Sequence, residues 1–235
     1  MAKQKRERLE RIVSPIGIAR YPHLDKPDEY KGDVKYKCDL VLDPSNDEDS
    51  EFLDDLKARA EDAFERFQTE LQEKVDNKEL KGKKLADAKK ELKAMEVQYP
   101  FEPEYDDEGE ETGRYVVKSK SKAQFTDKKT GETRTKRLPA FDSNGKRMDK
   151  VPAIWGGSEL RLSFDVYPYH MEANSIAGIS LLIAGVQIIE LKTGGGASAE
   201  DLGFGAVEGG FAADGQVDEA SAEEDDFEDD DEDDF

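Results

Sequence analysis

Two long strand patterns lie back to back between Leu160 and Leu191, and they constrain the fold more than any other part of the chain. In the first, Leu160, Leu162, Phe164 and Val166 alternate with Arg161, Ser163 and Asp165, so one face is suited to a core and the other is not. The second, residues 176–191, is nearly continuous in apolar side chains, as a central or sheet-closing strand would be. Other strand patterns precede them. Residues 34–42 alternate and then turn mostly apolar. Residues 114–125 and 133–138 flank a polar turn, Lys128, Lys129, Thr130, Gly131 and Glu132, which is a hairpin signal. The run 142–146 contains the pair Asn144 and Gly145, favoured in tight reversals.

Between these strands the period changes. Phe52, Leu56, Ala60, Ala63, Phe64, Phe67 and Leu71 recur every three or four residues with charges opposite, which predicts an amphipathic helix capped near Ser45 or Asn46. Leu85, Ala88, Leu92 and Met95 predict a second helical stretch, and Pro100 and Pro103 force an extended exit. The acidic run 104–111 lacks the alternating ligands of a calcium loop and reads as a solvated loop. Several closely spaced strands, one helical insertion and no repeating helix–strand alternation predict a mainly β fold with inserted α-helices. The natural candidate is the OB-fold, a closed antiparallel five-stranded Greek-key barrel. The expected organisation is a basic arm over 1–11, a folded domain over 12–193 with a helical insertion at about 47–97, and a Gly-rich hinge with a disordered acidic tail over 194–235.

The formal charge of −21 argues against an anionic ligand until it is partitioned. From 197 to 235 there are 17 acidic residues and no basic ones, leaving 35 basic against 39 acidic in the first 196 residues. From 114 to 150 there are 12 Lys or Arg against 4 Asp or Glu, a local excess of the size that attracts phosphates. Lys118, Lys120 and Lys122, spaced by two, project from one face of a strand. Tyr115 and Phe125 lie at the ends of that strand, on the face opposite the lysines if pairing is regular, and Arg134, Lys136 and Arg137 return on the next, although a bulge could mix the two sets. Lys128, Lys129, Arg147 and Lys150 extend the cationic segment. A binding face and a lysine-blunted sheet edge are both open readings of the strand alone, and the density of charge turns the balance toward binding.

Single strands of nucleic acid require cations along the phosphates and flat rings for the bases. Tyr167, Pro168, Tyr169 and His170 end an alternating strand where a loop would leave rings exposed, and Trp155 beside two glycines is a further candidate that could instead fill a barrel mouth. One of the two tyrosines is equally suited to the core. The tail carries Phe204, Phe211, Phe227 and Phe235 as its large apolar groups, and 39 flexible residues span about 35 Å. Its carboxylates imitate phosphates, so it is expected to compete for the cationic face. Phosphate mimicry needs no ring, so the terminal Phe235, with Asp229, Asp230, Asp231, Glu232, Asp233 and Asp234, is expected to dock on partner proteins.

Enzymatic patterns are missing. There is no phosphate-binding Gly-rich loop followed by Lys and Ser or Thr, no Gly-x-Ser-x-Gly elbow and no His-Glu-x-x-His. His23 and His170 are isolated, and with the lone Cys38 they are too few for a structural zinc site, so no metal or cofactor is expected. Cysteine usage fits a reducing, cytosolic setting. The charged start shows no apolar signal region, and no apolar run approaches a membrane span. An acidic DNA mimic or chaperone-like protein that never touches DNA, and an architectural assembly protein, are the alternative classes.

The order of several segments resembles the single-stranded DNA-binding proteins of T-odd, short-tailed lytic bacteriophages. They are Lys26-Pro27-Asp28, residues 36–40, residues 125–133, residues 142–146, Val151-Pro152, residues 156–158, Pro168-Tyr169, the Gly194–Gly196 exit and the acidic finish with a terminal phenylalanine. The resemblance implies an OB-fold with a helix inserted between strands, a homodimer, and sequence-independent binding of single-stranded DNA in replication, recombination, repair and strand annealing. It further implies that the tail contacts the phage DNA polymerase and helicase/primase, in the cytoplasm of the infected bacterium. The family's stacking tyrosine falls on Tyr169 and its N-terminal contact lysine on Lys3. The chain departs from it in a longer basic arm, in Trp155 where a small residue stands, and in His170 after Tyr169.

Overall fold

The structure is a computed structural model that describes residues 9–127 and 130–192, and every structural statement concerns those residues. Lys3, Lys128, Lys129 and the whole 194–235 segment, including Asp229, Asp230, Asp231, Glu232, Asp233, Asp234 and Phe235, lie outside them. The elements run β1 (Arg11–Val13), β2 (Gly17–Tyr30), β3 (Asp33–Leu42), α1 (Asp47–Asp76), α2 (Lys83–Ala94), β4 (Glu96–Gln98), β5 (Phe101–Tyr105) and β6 (Glu111–Lys122). They continue as β7 (Gln124–Thr126), β8 (Thr133–Thr135), β9 (Ala140–Phe141), β10 (Glu159–Met171) and β11 (Ile176–Glu190).

The two strand patterns of the C-terminal half form one long antiparallel hairpin, from Glu159↔Glu190 to Met171↔Ile176. β10 then meets β2 at Leu160↔Gly17, β2 pairs with β3, β3 with β6, and β6 returns to β11 at Leu181↔Ser119. Five strands thus close on themselves in the OB-fold, and the β6–β11 pairing is parallel within an otherwise antiparallel ring. β11 also pairs with β4 and β9, which explains its apolar run: a strand flanked on both edges and covered on one face has little surface left for water. Leu160, Leu162 and Phe164 from β10 meet Leu40, Val117, Leu181 and Ile183 in the interior.

Close approach sets one glycine. A Cβ on Gly178 would lie 2.1 Å from the Gln98 carbonyl oxygen, so β4 can dock alongside β11 there only because the side chain is missing.

The helices enter between β3 and β6. The Asn46 side chain accepts the Glu48 N–H at 3.0 Å, and acidic Asp47, Glu48 and Asp49 occupy the first turn, where the helix dipole favours them. Of the expected stripe, Phe52, Leu56, Ala60 and Ala63 join the barrel core together with Leu53, which the spacing did not single out, while Phe64, Phe67 and Leu71 are half-buried. Each large side chain buried this way contributes about 2 kcal/mol. Farther along, α1 leaves the barrel and packs on α2, and His170 is held between them, stacked 5.6 Å from Phe67 with Nε2 2.7 Å from Glu91 Oε1. His170 is therefore a structural contact. Tyr167, Pro168 and Tyr169 also differ from expectation in lying within β10 itself, not in a loop after it, because pairing with β11 continues to Met171.

Candidate nucleic-acid interface

Alternation along β3 turns Tyr36, Cys38 and Leu40 inward and leaves Lys35, Lys37 and Asp39 outward. β6 does the same with Val117 and Ser119 inside and Lys118, Lys120 and Lys122 outside. Pairing sets Lys35 opposite Lys122, Lys37 opposite Lys120, and Asp39 opposite Lys118. The result is a five-lysine face on the two adjacent strands whose outer surface is a ligand face in OB-folds. Lys35 pairs with Asp33 at 2.9 Å, Lys37 with Asp28 at 2.8 Å and Lys118 with Glu102 at 2.6 Å. Lys120 and Lys122 form no ion pair among the described residues. Lys35 and Lys37 were legible as alternating lysines in residues 34–42; their partnership with the other three needed the pairing.

Asp39 is an acid inside the outward row, between the lysines of β6 and Arg20 of β2, whereas Asp33 stands at the far end of β3 paired with Lys35. Burial, more than any neighbour, raises its pKa above the ordinary carboxylate value, against the pull of Lys118 and Arg20. Beneath the lysines Cys38 is fully buried, and burial pushes its thiol up to about 12, so it is no nucleophile at neutral pH.

The face continues at both ends. Past Lys122 the chain forms the β7–β8 hairpin, separate from the barrel, where Phe125 stands opposite Arg134 and is 54 % exposed. Lys136 and Arg137 follow on the same exposed segment, and Lys136 also anchors it, its N–H donating to the Ala123 carbonyl at 2.7 Å. The β2–β3 turn adds the exposed Tyr30 with the Lys31 ammonium 5.1 Å above its ring, a feature the sequence reading missed. On the other flank, outward Tyr167 pairs with Ser180 of β11, whose neighbour Leu181 pairs with Ser119 of β6. Two strand spacings, about 10 Å, separate the Tyr167 strand from the lysine strand. Tyr167 is half exposed, and Tyr169, on the same side of β10, is partly buried, which raises its phenol pKa.

Other expected residues fall elsewhere. Tyr115 lies on the side of β6 away from the lysines, edge-on to Phe101 at 5.6 Å and packed against the core, so its ring is a packing group. Lys150 and Trp155 sit in the exposed connection between β9 and β10. Glu104, from the run read as a solvated loop, is instead buried, where the Arg20 guanidinium donates to it and that of Arg114 forms an ion pair with it. Among the described residues no cluster of His, Cys, Asp and Glu suits a metal ion, and no helix is long and apolar enough to cross a membrane.

A face of this chemistry can hold a flexible polyanion with exposed rings beside it. Comparison with known proteins gives the same direction. Residues 15–191 match the family described as single-stranded DNA-binding protein, bacteriophage T7. The chain is 32% identical over 229 residues to the single-stranded DNA-binding protein of Escherichia phage T7, covering 92% of this chain and 93% of that protein. It is 31% identical over 209 residues to the corresponding protein of Enterobacteria phage T3, covering 86% and 84%. The fold is similar to the crystal structure of gp2.5, a single-stranded DNA-binding protein encoded by bacteriophage T7, with a TM-score of 0.60 and 28% identity over 78% of this chain and 93% of that one. The chain therefore belongs to the T7-type family of phage single-stranded DNA-binding proteins, a non-enzymatic family.

Proposed function

We propose that this protein binds single-stranded DNA without sequence preference, seating phosphates on Lys35, Lys37, Lys118, Lys120 and Lys122 and stacking bases on Tyr167 and Tyr169. The observation that carries the proposal is the five-lysine face of β3 and β6, flanked by exposed rings on β10 and on the β7–β8 hairpin. Lysine contacts bind any sequence because every nucleotide offers the same phosphate, and rings stack on every base. The hairpin cations Arg134, Lys136 and Arg137, with Lys150 nearby in sequence, lengthen the attractive field, and Lys3, Lys128 and Lys129 carry further charge of the right sign.

In this reading the segment after Lys192 is a second anionic ligand on the same chain. Its 17 carboxylates compete with DNA for the cationic face, and its terminal Phe235 engages replication proteins such as a polymerase or helicase/primase. The protein acts as a homodimer in phage DNA replication, recombination and annealing, in the cytoplasm of the infected host.

The test is a salt-titrated affinity measurement on single-stranded and duplex oligonucleotides, with the full chain and with a chain lacking residues 218–235. Neutralising five phosphates on a single strand gives a slope of about −3.5 in log affinity against log salt. The truncated chain is expected to bind DNA more tightly and to lose capture of replication proteins. A slope near zero would remove the phosphate face, and unchanged affinity on truncation would remove the competition.

A further inference from the structure

At the opposite end of the barrel surface from the β7–β8 hairpin, the chain encloses a cleft of about 500 Å³ whose lining includes Ile18, Arg20, Tyr21, Glu104, Arg114 and Trp155. Its walls are unusual for a monomer surface. Tyr21 is 66 % exposed and Trp155 54 % exposed, and Ile18 beside them is also open. An apolar concavity of this size with a few fixed polar groups is the usual form of a small-ligand site.

Tyr21 is there by conformation. Its φ is +47°, in the left-handed region that a bulky side chain rarely adopts, and it falls where the β2–β3 register shifts between Arg20 and His23. That break in the ladder turns the ring out of the strand's alternation and toward the cleft. Strain of this kind costs about 1–3 kcal/mol and concentrates at ligand sites.

The cationic wall is held from within. Glu104 is buried, with Oε1 accepting from Arg20 at 3.0 Å and Oε2 paired with the Arg114 Nε at 2.6 Å; the Thr112 hydroxyl donates to Oε2 at 2.9 Å. One carboxylate between two guanidiniums leaves this trio one positive charge, with the half-buried Asp39 across the ladder from Arg20, and both arginine side chains remain more than a third exposed. Their remaining N–H groups form a pre-oriented donor set of the kind that recognises phosphate. The Arg20 guanidinium also lies 5.5 Å from the centre of the Tyr21 ring.

The cleft is continuous with the lysine face. Arg20 pairs with Asp39 and Asp39 with Lys118, so one row across three strands leads from the cleft to the first of the outward lysines. Rings for a base and fixed guanidiniums for its phosphate, at the end of a phosphate track, are what one nucleotide of a bound strand requires.

We propose that the Tyr21–Trp155 cleft is a nucleotide subsite in which a base of single-stranded DNA stacks against Tyr21 and Trp155 and its phosphate lies on Arg20 and Arg114. The proposal rests on the DNA-binding reading of the lysine face and extends the strand's path beyond it. Because Trp155 is the sole tryptophan, its emission reports this site alone.

The experiment titrates the full chain with an oligothymidylate, following Trp155 emission together with affinity from electrophoretic mobility. Stacking is expected to quench the emission and saturate with DNA. Tyr21→Ala and Trp155→Leu are expected to weaken affinity at least about fivefold each, while Tyr21→Phe, which keeps the ring, restores it. Both rings are exposed, and circular dichroism of each variant verifies folding. Tight binding of the oligonucleotide with unchanged emission and with wild-type affinity in both ring variants would overturn the subsite and leave the lysine-face reading standing. No binding by the wild-type chain would overturn that reading, and the subsite with it. An emission change on removing residues 218–235, with no further change when DNA then binds the truncated chain, would assign the cleft to this chain's own tail and would also overturn the proposal.

Discussion

The basic side chains under the helices and the lysines on the outer face of β3 and β6 are treated differently by the same fold. Arg59 of α1 is fixed between Asp55 at 2.7 Å and Glu10 at 2.6 Å, and its pKa is raised by these hydrogen bonds. His170 is enclosed between Phe67 and Glu91. Arg59 has its counter-charges inside the chain, and His170 has its hydrogen-bond partner there. On the other surface, Lys35 stands directly opposite Lys122 and Lys37 opposite Lys120. Like charges directly across a sheet are destabilising. Lys35 and Lys37 have carboxylate partners in Asp33 and Asp28, but Lys120 and Lys122, which face them, have no ion pair among the described residues, so this side keeps an excess of positive charge suited to an anion from outside. On the proposed reading the first side serves stability and the second serves binding, and substitutions can separate the two.

The largest separation is expected from Leu56→Ala, on the helix-covered side. Leu56 is fully buried, so truncation should cost about 3 kcal/mol of stability, read from denaturant unfolding, while the folded variant keeps its DNA affinity. A loss of affinity in folded protein would mean that the helices position the lysine face rather than merely supporting the barrel.

Next is the double substitution Lys120→Glu and Lys122→Glu. Affinity for single-stranded DNA is expected to fall about 100-fold at low salt, with a shallower salt slope. Because two like-charge cross-strand pairs become opposite-charge pairs, thermal stability should stay level or rise. Reduced stability together with unchanged DNA affinity would reverse the division of labour between the two faces.

The smallest effect is expected at Asp39. Burial raises its pKa, so the carboxylate carries a penalty at neutral pH that is relieved as pH falls through the raised value. Protonation also removes the negative charge opposite Lys118. DNA binding should therefore tighten as pH falls through that range, and Asp39→Asn should tighten it a few-fold at neutral pH without loss of stability and flatten that pH dependence. If Asp39→Asn weakens binding, its carboxylate orients Lys118 and Arg20 instead of opposing the DNA.

The features legible in the sequence are those whose physics is local. A period of two in Lys118, Lys120 and Lys122 places them on one face in any strand, and the three-and-four spacing from Phe52 to Ala63 buries one stripe of any helix that forms there. The partition of charge between the body of the chain and its tail is likewise a property of the order of residues. Misplaced expectations came from context that lies far along the chain. Tyr115 reads like Phe125 at the end of a strand, but Phe101 waits beside it, and Glu104 reads as one of a solvated acidic run until Arg20 reaches it from 84 residues away.

By itself the sequence determined that the chain would be mainly β with a helical insertion, that its cations would concentrate between Arg114 and Lys150, and that rings would lie near them. Only the tertiary structure decided that Lys35 and Lys37 complete the lysine face, that β11 closes the ring through a parallel contact with β6, and that Tyr21 and Trp155 share a cleft. The reason is physical: periodicity orients a side chain relative to its own backbone, whereas the identity of its neighbour across a barrel depends on strand pairing and register, which are settled by packing the whole core at once.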